Sequence, residues 1–212
     1  MKKTRVAING FGRIGRAFLK IAKDRKEIEI VAINDLGSLE NFVYLLKYDT
    51  VYGKSIFDIK SENTTSGQFL VVDGEKIKFL SEKEPKNLPW KSLDIDVVVE
   101  SSGFFTSFEK SKAHLDAGAK RVVISAPVKD EPVGVSGSTI LLGINEEKLK
   151  DCIISSNASC TTNAGSPLIA ILDEKIGIEK AILNTVHGYT ASQSLVDSPS
   201  KKDLREGRAA AM

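Results

Sequence analysis

The sequence predicts an α/β protein built around a doubly wound parallel sheet. Short apolar runs with the composition of strands alternate with segments of helical periodicity. A glycine-rich turn joins the first strand candidate to the first helix candidate. The alternation ends near residue 158, so we expect a first domain over residues 1–158 and the start of an incomplete α+β domain over residues 159–212.

The predicted elements follow one another in the order typical of this class. The strand candidates are Thr4–Asn9, Glu29–Asn34, Ile95–Glu100, Arg121–Ser125, Thr139–Ile144 and Asp151–Asn157. The helix candidates are Arg13–Lys26, Ser38–Tyr48, Ser107–Ala117 and Cys160–Glu174. Asp73-Gly74 between alternating apolar residues predicts a hairpin over Gln68–Phe79. We expect Ser38 to cap its helix and Gly118 to end the third helix.

The last part of the chain predicts an unfinished second domain. Ile178–Val186 has the composition of a strand, but too few further strand candidates exist to complete a sheet around it. Lys201–Met212 is alanine-rich and helix-like, without a closing cap. We therefore expect the chain to hold only the N-terminal part of its second domain.

Composition and charge are those of an ordinary globular protein, with 42% hydrophobic and 27% charged residues. A net charge of +2 gives no reason to expect nucleic acid or a membrane as a partner. No apolar run reaches the roughly 20 residues of a membrane span, and we find no secretory signal. Cys152 and Cys160 are not spaced as a metal or redox pair, so we expect a reduced, cytoplasmic protein without a metal site.

Gly10, Gly12 and Gly15 form a GxGxxG motif between a strand and a helix. The first glycine permits a tight turn, the second lets the backbone approach a pyrophosphate, and the third lets helix and strand pack closely. The helix N-terminus offers N–H groups to the anion. Asp35 ends the second strand about 20 residues later, where a carboxylate binds ribose hydroxyls and repels a 2′-phosphate. The pattern predicts a Rossmann-type domain that binds NAD rather than NADP.

Cys160 is the candidate nucleophile, because it lies between a strand and a helix. The helix dipole and free N–H groups there favour a thiolate and can stabilise an oxyanion. Cys152 opens an apolar strand and is expected to be a small buried hydrophobe. His187 follows a strand candidate, whereas His114 lies on a lysine-rich helix and is expected to be solvated. His187 is therefore the candidate base for Cys160, and the pair suggests covalent aldehyde oxidation.

Five segments carry a resemblance to a known family, in matching order and spacing. They are Ala7–Arg16 (AINGFGRIGR), Glu100–Phe105 (ESSGFF), Ile124–Lys129 (ISAPVK), Ser156–Asn163 (SNASCTTN) and His187–Gln193 (HGYTASQ). They resemble the glyceraldehyde-3-phosphate dehydrogenase family, and the resemblance covers essentially the whole chain. SNASCTTN followed by HGYT is its most specific part.

The resemblance implies roles for individual residues. Cys160 matches the nucleophile, and His187 matches the base that activates the thiol. The implied cofactor contacts are Arg13, Ile14, Asp35, Gly103 and Ser125, with Lys83 as a looser match near the adenine. The implied contacts to substrate or attacking phosphate are Ser159, Thr161 and Thr190. Asn163 is expected to buttress the loop.

The implied reaction is the NAD-dependent conversion of glyceraldehyde 3-phosphate and inorganic phosphate to 1,3-bisphosphoglycerate, a step of glycolysis and gluconeogenesis. Cys160 would form a hemithioacetal and then a thioester, and phosphate would release the acyl group. The resemblance also implies a homotetramer. Because the family continues beyond the region that this chain matches, we expect the chain alone to bind NAD weakly and to have little activity.

Three alternatives stay open. An erythrose-4-phosphate dehydrogenase shares the loops but releases the acyl group with water. A non-catalytic NAD-binding fragment fits the unfinished second domain. An aspartate-semialdehyde-type dehydrogenase uses the same cysteine chemistry but lacks SNASCTTN and HGYT at this spacing.

Overall fold

The computed structural model describes residues 2–200 and 203–210 of the chain. The chain forms two compact units, Met1–Ala170 and Ile171–Met212, which are described separately below. The division between them falls inside a helix and later than the predicted domain boundary after residue 158, which stays a prediction.

The first unit contains a nine-stranded sheet. The strands of the chain are β1 (Thr4–Asn9), β2 (Ile28–Asn34), β3 (Tyr48–Asp49), β4 (Gly53–Lys54), β5 (Ile59–Thr64), β6 (Gly67–Val72), β7 (Glu75–Leu80), β8 (Val97–Glu100), β9 (Arg121–Ile124), β10 (Gly137–Thr139) and β11 (Ile154–Ser156). Their order in the sheet is β10-β11-β9-β8-β1-β2-β7-β6-β5, and β3 with β4 forms a separate ribbon. All pairs from β10 to β7 are parallel, while β6 and β5 are added antiparallel. The predicted doubly wound parallel sheet is confirmed.

Within the described residues, four α-helices accompany these strands: α1 (Arg13–Ala22), α2 (Leu39–Lys47), α3 (Phe108–Asp116) and α4 (Cys160–Ile176). The predicted cap of α2 is confirmed, since the Ser38 hydroxyl accepts a hydrogen bond from the Asn41 N–H at 3.3 Å. Helix α3 ends before Gly118, whose φ of +103° is left-handed, as expected. No helix in the described ranges is both long and apolar enough to cross a membrane.

The core lies on both faces of the sheet, because successive side chains of a strand point to opposite faces. Ile8 and Ile33 pack with Leu19 of α1 and Leu46 of α2 on one face. The other face carries small residues of β1 and β2 together with Trp90. Burial on both faces explains why the central strands are apolar runs rather than alternating ones.

The predicted hairpin joins β6 to β7. Asp73 has φ of +50° and Gly74 has φ of +81°, and two successive positive φ values are the signature of a type I′ turn. This turn matches the right-handed twist of the two strands, so the Asp-Gly prediction is confirmed.

Several boundaries differ from the prediction, and two of them differ most. Helix α1 ends at Ala22 rather than Lys26. The strand expected over Thr139–Ile144 is largely a turn, because the Asn145 side chain accepts a hydrogen bond from the Leu141 N–H at 2.7 Å. Strand β10 ends at Thr139 instead.

The prediction of a strand over Ile178–Val186, in the second unit, is wrong. The segment has no regular secondary structure and pairs with no strand in the part of the chain that the structure describes. Ile182 is 97% exposed, so no neighbour buries its apolar face. The helix expected over Lys201–Met212 is only a 3-10 turn at Leu204–Gly207, and residues 201–202 and 211–212 lie outside the described residues.

Candidate dinucleotide site and nucleophile loop

The candidate site lies along one edge of the sheet, where five neighbouring parallel strands end. The register aligns the last residues of β2, β1, β8, β9 and β11 in one row: Asn34, Asn9, Glu100, Ile124 and Ser156. Carboxyl ends of parallel strands are where ligands bind in open α/β sheets. Gly10, Asp35 and Ser125 directly follow members of this row, and most other predicted site residues of the first unit lie on the segments that begin there.

The glycine turn after β1 is packed tightly against the end of β8. Gly10 has φ of +92°, and a Cβ there would lie 2.3 Å from the Ser102 nitrogen. A Cβ on Gly15 would lie 2.2 Å from the Gly10 carbonyl oxygen. Both positions therefore require glycine, one for its conformation and one for the close approach of helix and turn.

The N-terminus of α1 is open for an anion. A Cβ on Gly12 would meet no atom within 4 Å. Gly12 is the N-cap, no side chain of the described residues caps the helix, and its first turn holds no acid. Arg13 and Ile14 are exposed there. An open cradle with free N–H groups fits the pyrophosphate of a dinucleotide.

Asp35 ties the end of β2 to the glycine turn. Its carboxylate accepts hydrogen bonds from the Phe11 N–H at 2.6 Å and from the Gly37 N–H at 2.9 Å. A carboxylate has about four acceptor sites, so two stay available for the hydroxyls of a ribose. This arrangement supports the predicted role of Asp35 in binding adenosine ribose.

Arg16 adds a cation behind the turn. Its guanidinium donates to the Phe11 carbonyl at 2.9 Å. Burial lowers the pKa of Arg16, while the carboxylates of Asp49 and Asp35 act in the opposite direction.

Three further predicted cofactor contacts lie on loops at this edge. Ser125 donates its hydroxyl to the Glu100 carbonyl at 3.0 Å, which links the ends of β9 and β8. Gly103 is exposed, with φ of +80°. Lys83 is exposed on the loop after β7, and β7 runs parallel beside β2. Their contacts with a cofactor remain predictions.

The loop after β11 positions Cys160 through backbone contacts. Ala158 takes a left-handed conformation, with φ of +57°. The Asn163 amide donates to the carbonyls of Asn157 and Ser159 at 2.6 and 2.8 Å, so Asn163 buttresses the loop as expected. The chain then enters α4 with Cys160 as the first residue of this 17-residue helix.

Cys160 is exposed, whereas Cys152 is buried. Ser159 caps α4, since its hydroxyl accepts a hydrogen bond from the Thr162 N–H at 3.0 Å. Thr161 is half-buried beside Cys160. The cap leaves Cys160 at the helix N-terminus, where the dipole stabilises negative charge. Contacts of Ser159 and Thr161 with substrate remain predictions.

His187 and Thr190 belong to the second unit. His187 is exposed, and its Nδ1 lies 2.6 Å from the Gly188 carbonyl oxygen. The Thr190 N–H donates to the Gln193 side chain at 2.6 Å. Because the strand expected to present His187 is absent from the described residues, the pairing of His187 with Cys160 remains a prediction.

The expectation that His114 is solvated is wrong. His114 is fully buried, with the Trp90 indole N–H donating to its Nδ1 at 3.0 Å and its Nε2 lying 2.9 Å from Glu100 Oε2. The lysines of α3 are exposed, but Ser111 and His114 share the face that packs on the sheet. Their spacing of three residues was the available signal.

Asn9, Asn34 and Glu100 are not among the site residues predicted from the sequence. All three are buried polar side chains at the edge where the predicted cofactor loops begin. The available signal was that each closes an apolar strand with a polar residue, a pattern that needs hydrogen-bond partners inside the protein.

The fold and the residues at the carboxyl edge of the sheet are those of the class of dinucleotide-binding α/β dehydrogenase domains. Two family models match the chain: the NAD binding domain of glyceraldehyde 3-phosphate dehydrogenase over residues 4–108, and the C-terminal domain of the same enzyme over residues 159–212. The chain belongs to the glyceraldehyde-3-phosphate dehydrogenase family, and NAD is the cofactor of its matched N-terminal domain.

Individual relatives agree with this assignment. The chain is 49% identical over 207 residues to glyceraldehyde-3-phosphate dehydrogenase 1 of Kluyveromyces lactis, and 49% identical over 211 residues to the enzyme of Thermotoga maritima. It is 46% identical over 207 residues to the cytosolic enzyme of Trypanosoma brucei brucei. These alignments cover 97% to 98% of the chain and 60% of each relative, so the chain spans about three fifths of their length.

Proposed function

We propose that this chain supplies the NAD-binding domain and the nucleophile of a phosphorylating glyceraldehyde-3-phosphate dehydrogenase. One observation carries the proposal. Cys160 begins α4 after the short loop that follows β11, at the same carboxyl edge of the sheet as the glycine turn. A thiol at a helix N-terminus beside a dinucleotide cradle is suited to covalent aldehyde oxidation.

The residues of this chain would act in sequence on the aldehyde. The Cys160 thiolate attacks the carbonyl carbon to form a hemithioacetal, and the N–H groups at the start of α4 face the developing oxyanion. His187 accepts the hydroxyl proton while the same carbon gives up its hydrogen as hydride, which leaves a thioester on Cys160. When bound, NAD supplies the acceptor for the hydride equivalent. Inorganic phosphate attacks the thioester and releases 1,3-bisphosphoglycerate and the thiolate.

Substrate and cofactor would be held by separate groups. Ser159, Thr161 and Thr190 would bind the substrate or the attacking phosphate. Gly10, Gly12, Arg13, Ile14 and Gly15 would surround the pyrophosphate, with Asp35 on the ribose and Lys83, Gly103 and Ser125 at the flanks. The open N-terminus of α1 and the free acceptor sites of Asp35 support this distribution.

Phosphate dependence of NADH formation tests the reaction. A protein that contains this chain within the full length of its relatives should reduce NAD with glyceraldehyde 3-phosphate only when inorganic phosphate is present. Cys160→Ser should lower the rate at least about a thousandfold because the nucleophile is lost, while Cys152→Ser should leave it nearly unchanged. Phosphate-independent oxidation of erythrose 4-phosphate would favour the alternative enzyme.

The chain by itself is proposed to bind NAD weakly and to have little activity. The irregular, exposed segment that carries His187 supports this, because hydride transfer requires closely fixed geometry. NADH formation by the isolated chain at rates typical of intact dehydrogenases, with kcat above about 10 per second, would contradict the proposal. A non-catalytic NAD-binding fragment is the alternative if NAD binds and no turnover occurs in any longer form.

We further propose a cytoplasmic location and a homotetrameric assembly for the protein. A relative with 46% identity carries the word cytosolic in its name, which supports the location. Size-exclusion chromatography with light scattering on the longer protein would test the assembly, and a monomeric mass would contradict it.

A further inference from the structure

A hydrogen-bonded network of buried polar side chains crosses the sheet at the edge of the candidate dinucleotide site. The Asn34 amide donates to Asn9 Oδ1 at 2.7 Å, and the Asn9 amide donates to Glu100 Oε2 at 2.6 Å. His114 Nε2 lies 2.9 Å from the same carboxylate oxygen, and Trp90 donates to His114 Nδ1 at 3.0 Å. None of the five side chains belongs to a residue more than 5% exposed.

The backbone of Glu82 fixes the direction of hydrogen bonding at one end. Its N–H donates to Asn34 Oδ1 at 2.8 Å, and its carbonyl accepts from Asn34 Nδ2 at 2.9 Å. The amide of Asn34 can therefore take only one orientation. Asn34 then donates to Asn9 Oδ1, which turns the Asn9 N–H toward Glu100.

The indole of Trp90 fixes the direction at the other end. An indole N–H only donates, so His114 Nδ1 must be the acceptor. The proton of the neutral imidazole then lies on Nε2, which donates to Glu100. Donors thus converge on Glu100 from both ends of the network.

Glu100 also accepts from the loop that follows it. Its Oε1 accepts from the Ser102 N–H at 2.8 Å and from the Ser102 hydroxyl at 2.5 Å. Together with Asn9 and His114, the described residues direct four donors at this carboxylate, which has about four acceptor sites. The four contacts therefore match a group that only accepts hydrogen bonds, and a carboxylate has the acceptor sites for all of them.

The network joins three segments that are predicted to contact the cofactor. The Ser102 backbone lies against Gly10, and the Ser101 hydroxyl donates to the Gly10 carbonyl at 2.7 Å. Gly103 follows Ser102 on the same loop, and Lys83 follows Glu82. The glycine turn, the loop after β8 and the loop after β7 are thus connected through one carboxylate.

We propose that Glu100 is a positioning residue for NAD, held in place by Asn9 and His114. This inference rests on the proposed NAD site, because NAD is the ligand that all three segments are proposed to contact. Glu100 fixes the segments relative to one another before the cofactor arrives. Preorganisation of this kind raises affinity because less conformational freedom is lost on binding.

Glu100→Gln is the sharpest test, because glutamine has the same size but carries an NH₂ group. Turned toward Asn9 and His114, this group faces two donors, and turned the other way it faces the Ser102 N–H, so at least one hydrogen bond is lost in either orientation. We expect the Kd for NAD, measured by titration calorimetry on this chain well below its unfolding temperature, to rise about tenfold. Cys152→Ala is the matched control: it removes a buried side chain at the opposite end of β11, and it should lower stability without changing Kd.

His114→Gln and His114→Leu separate positioning from general destabilisation. Both remove the imidazole, and both should change the emission of Trp90, the only tryptophan of the chain. Glutamine can still donate to Glu100, so its Kd for NAD should stay within about threefold of the unsubstituted value. Leucine cannot donate, and its Kd should rise about tenfold. A purely structural role predicts that Kd is unchanged in both variants.

The outcomes distinguish the proposed NAD site from the proposed positioning role of Glu100. Failure of the unsubstituted chain to bind NAD would overturn the proposed cofactor site and, with it, this inference. NAD binding that neither Glu100→Gln nor His114→Leu weakens by more than about twofold would overturn the inference alone. If Glu100→Gln does not fold, the comparison of the two His114 variants decides.

Discussion

Single residues at the carboxyl edge of the sheet differ in what their polar atoms contact. The Asp35 carboxylate accepts two hydrogen bonds from backbone N–H groups, and its remaining acceptor sites are available for a ligand. The acceptor sites of Glu100 are filled by contacts with Asn9, Ser102 and His114, so this carboxylate contacts other parts of the protein. The two acids lie at the ends of β2 and β8, the strands on either side of β1, and we propose different roles for them, one in binding and one in positioning.

Two alanine substitutions in the glycine turn should separate stability from binding. Gly10→Ala forces a left-handed φ and a contact of 2.3 Å with Ser102, and should lower the free energy of unfolding by about 3 kcal/mol. Gly12→Ala meets no atom within 4 Å and should cost less than about 1 kcal/mol. It should nevertheless weaken NAD binding, because the methyl group occupies the cradle. Denaturant unfolding and NAD titration measure both effects; equal stability losses would contradict this account.

The two cysteines should differ in reactivity toward an alkylating reagent. Cys160 is exposed at a helix N-terminus, whereas burial raises the pKa of the Cys152 thiol and keeps it protonated. Iodoacetamide should modify Cys160 at least about tenfold faster, since the thiolate is the reacting form. Peptide mass spectrometry over time gives both rates, with Cys160→Ser as the control. Comparable rates in the native protein would show that the predicted difference in environment is wrong.

Among the elements, α3 has the most strongly supported N-terminus. The Ser107 hydroxyl accepts from the Lys110 N–H at 3.1 Å. Asp130, which lies after β9, accepts from the N–H groups of Phe108 and Glu109 at 2.9 and 3.1 Å. These contacts satisfy three of the orphan donors of the helix and hold in place the element that presents His114.

Asp130→Ala should lower the free energy of unfolding by about 1–2 kcal/mol, because it leaves two helix N–H groups without a protein acceptor and removes a charge favoured by the dipole. Asp130→Asn keeps one acceptor oxygen and should lose about half as much. Urea unfolding of the two variants measures the difference. An Asp130→Ala variant as stable as the unsubstituted chain would contradict the double cap.

Elements with local sequence signals were predicted correctly, whereas features that depend on distant contacts were not. Local signals were sufficient for β1, α2 and the hairpin of β6 and β7, because Ser38 and Asp73-Gly74 determine structure through their nearest neighbours. They failed for His114, whose burial depends on how α3 packs on a sheet formed by distant residues. They failed also for Ile178–Val186, since a strand requires a partner that composition alone does not reveal.

The site was predicted unevenly for the same reason. The glycine turn and Asp35 follow from a motif with a local geometry, and Cys160 follows from a strand that leads into a helix. The network around Glu100 joins residues up to 91 positions apart in the chain. Such contacts become visible only when the strand order is known.

At the scale of the whole chain, regular structure is concentrated in the first unit. The sheet and most helical residues lie within Met1–Ala170, whereas the described residues of the second unit are mainly irregular. The chain spans 60% of the length of its relatives. Residues 4–108 match the NAD binding domain model, and residues 159–212 match the C-terminal domain model.

Limited proteolysis should therefore cleave first between residues 178 and 200, where exposed chain lacks backbone hydrogen bonds of helices or sheets. The nine-stranded sheet should remain intact as a resistant core. Intact-mass analysis at early times locates the first cut. Initial cleavage within β1 or β8 would contradict the assignment of stability to the first unit.

A titration of the chain with NAD and with NADP tests the central claim most directly. The open N-terminus of α1 and the Asp35 carboxylate predict saturable binding of NAD, with NADP at least about tenfold weaker because a 2′-phosphate meets that carboxylate. Asp35→Asn should reduce the discrimination. Absence of saturable NAD binding, or equal affinity for the two dinucleotides, would contradict the account.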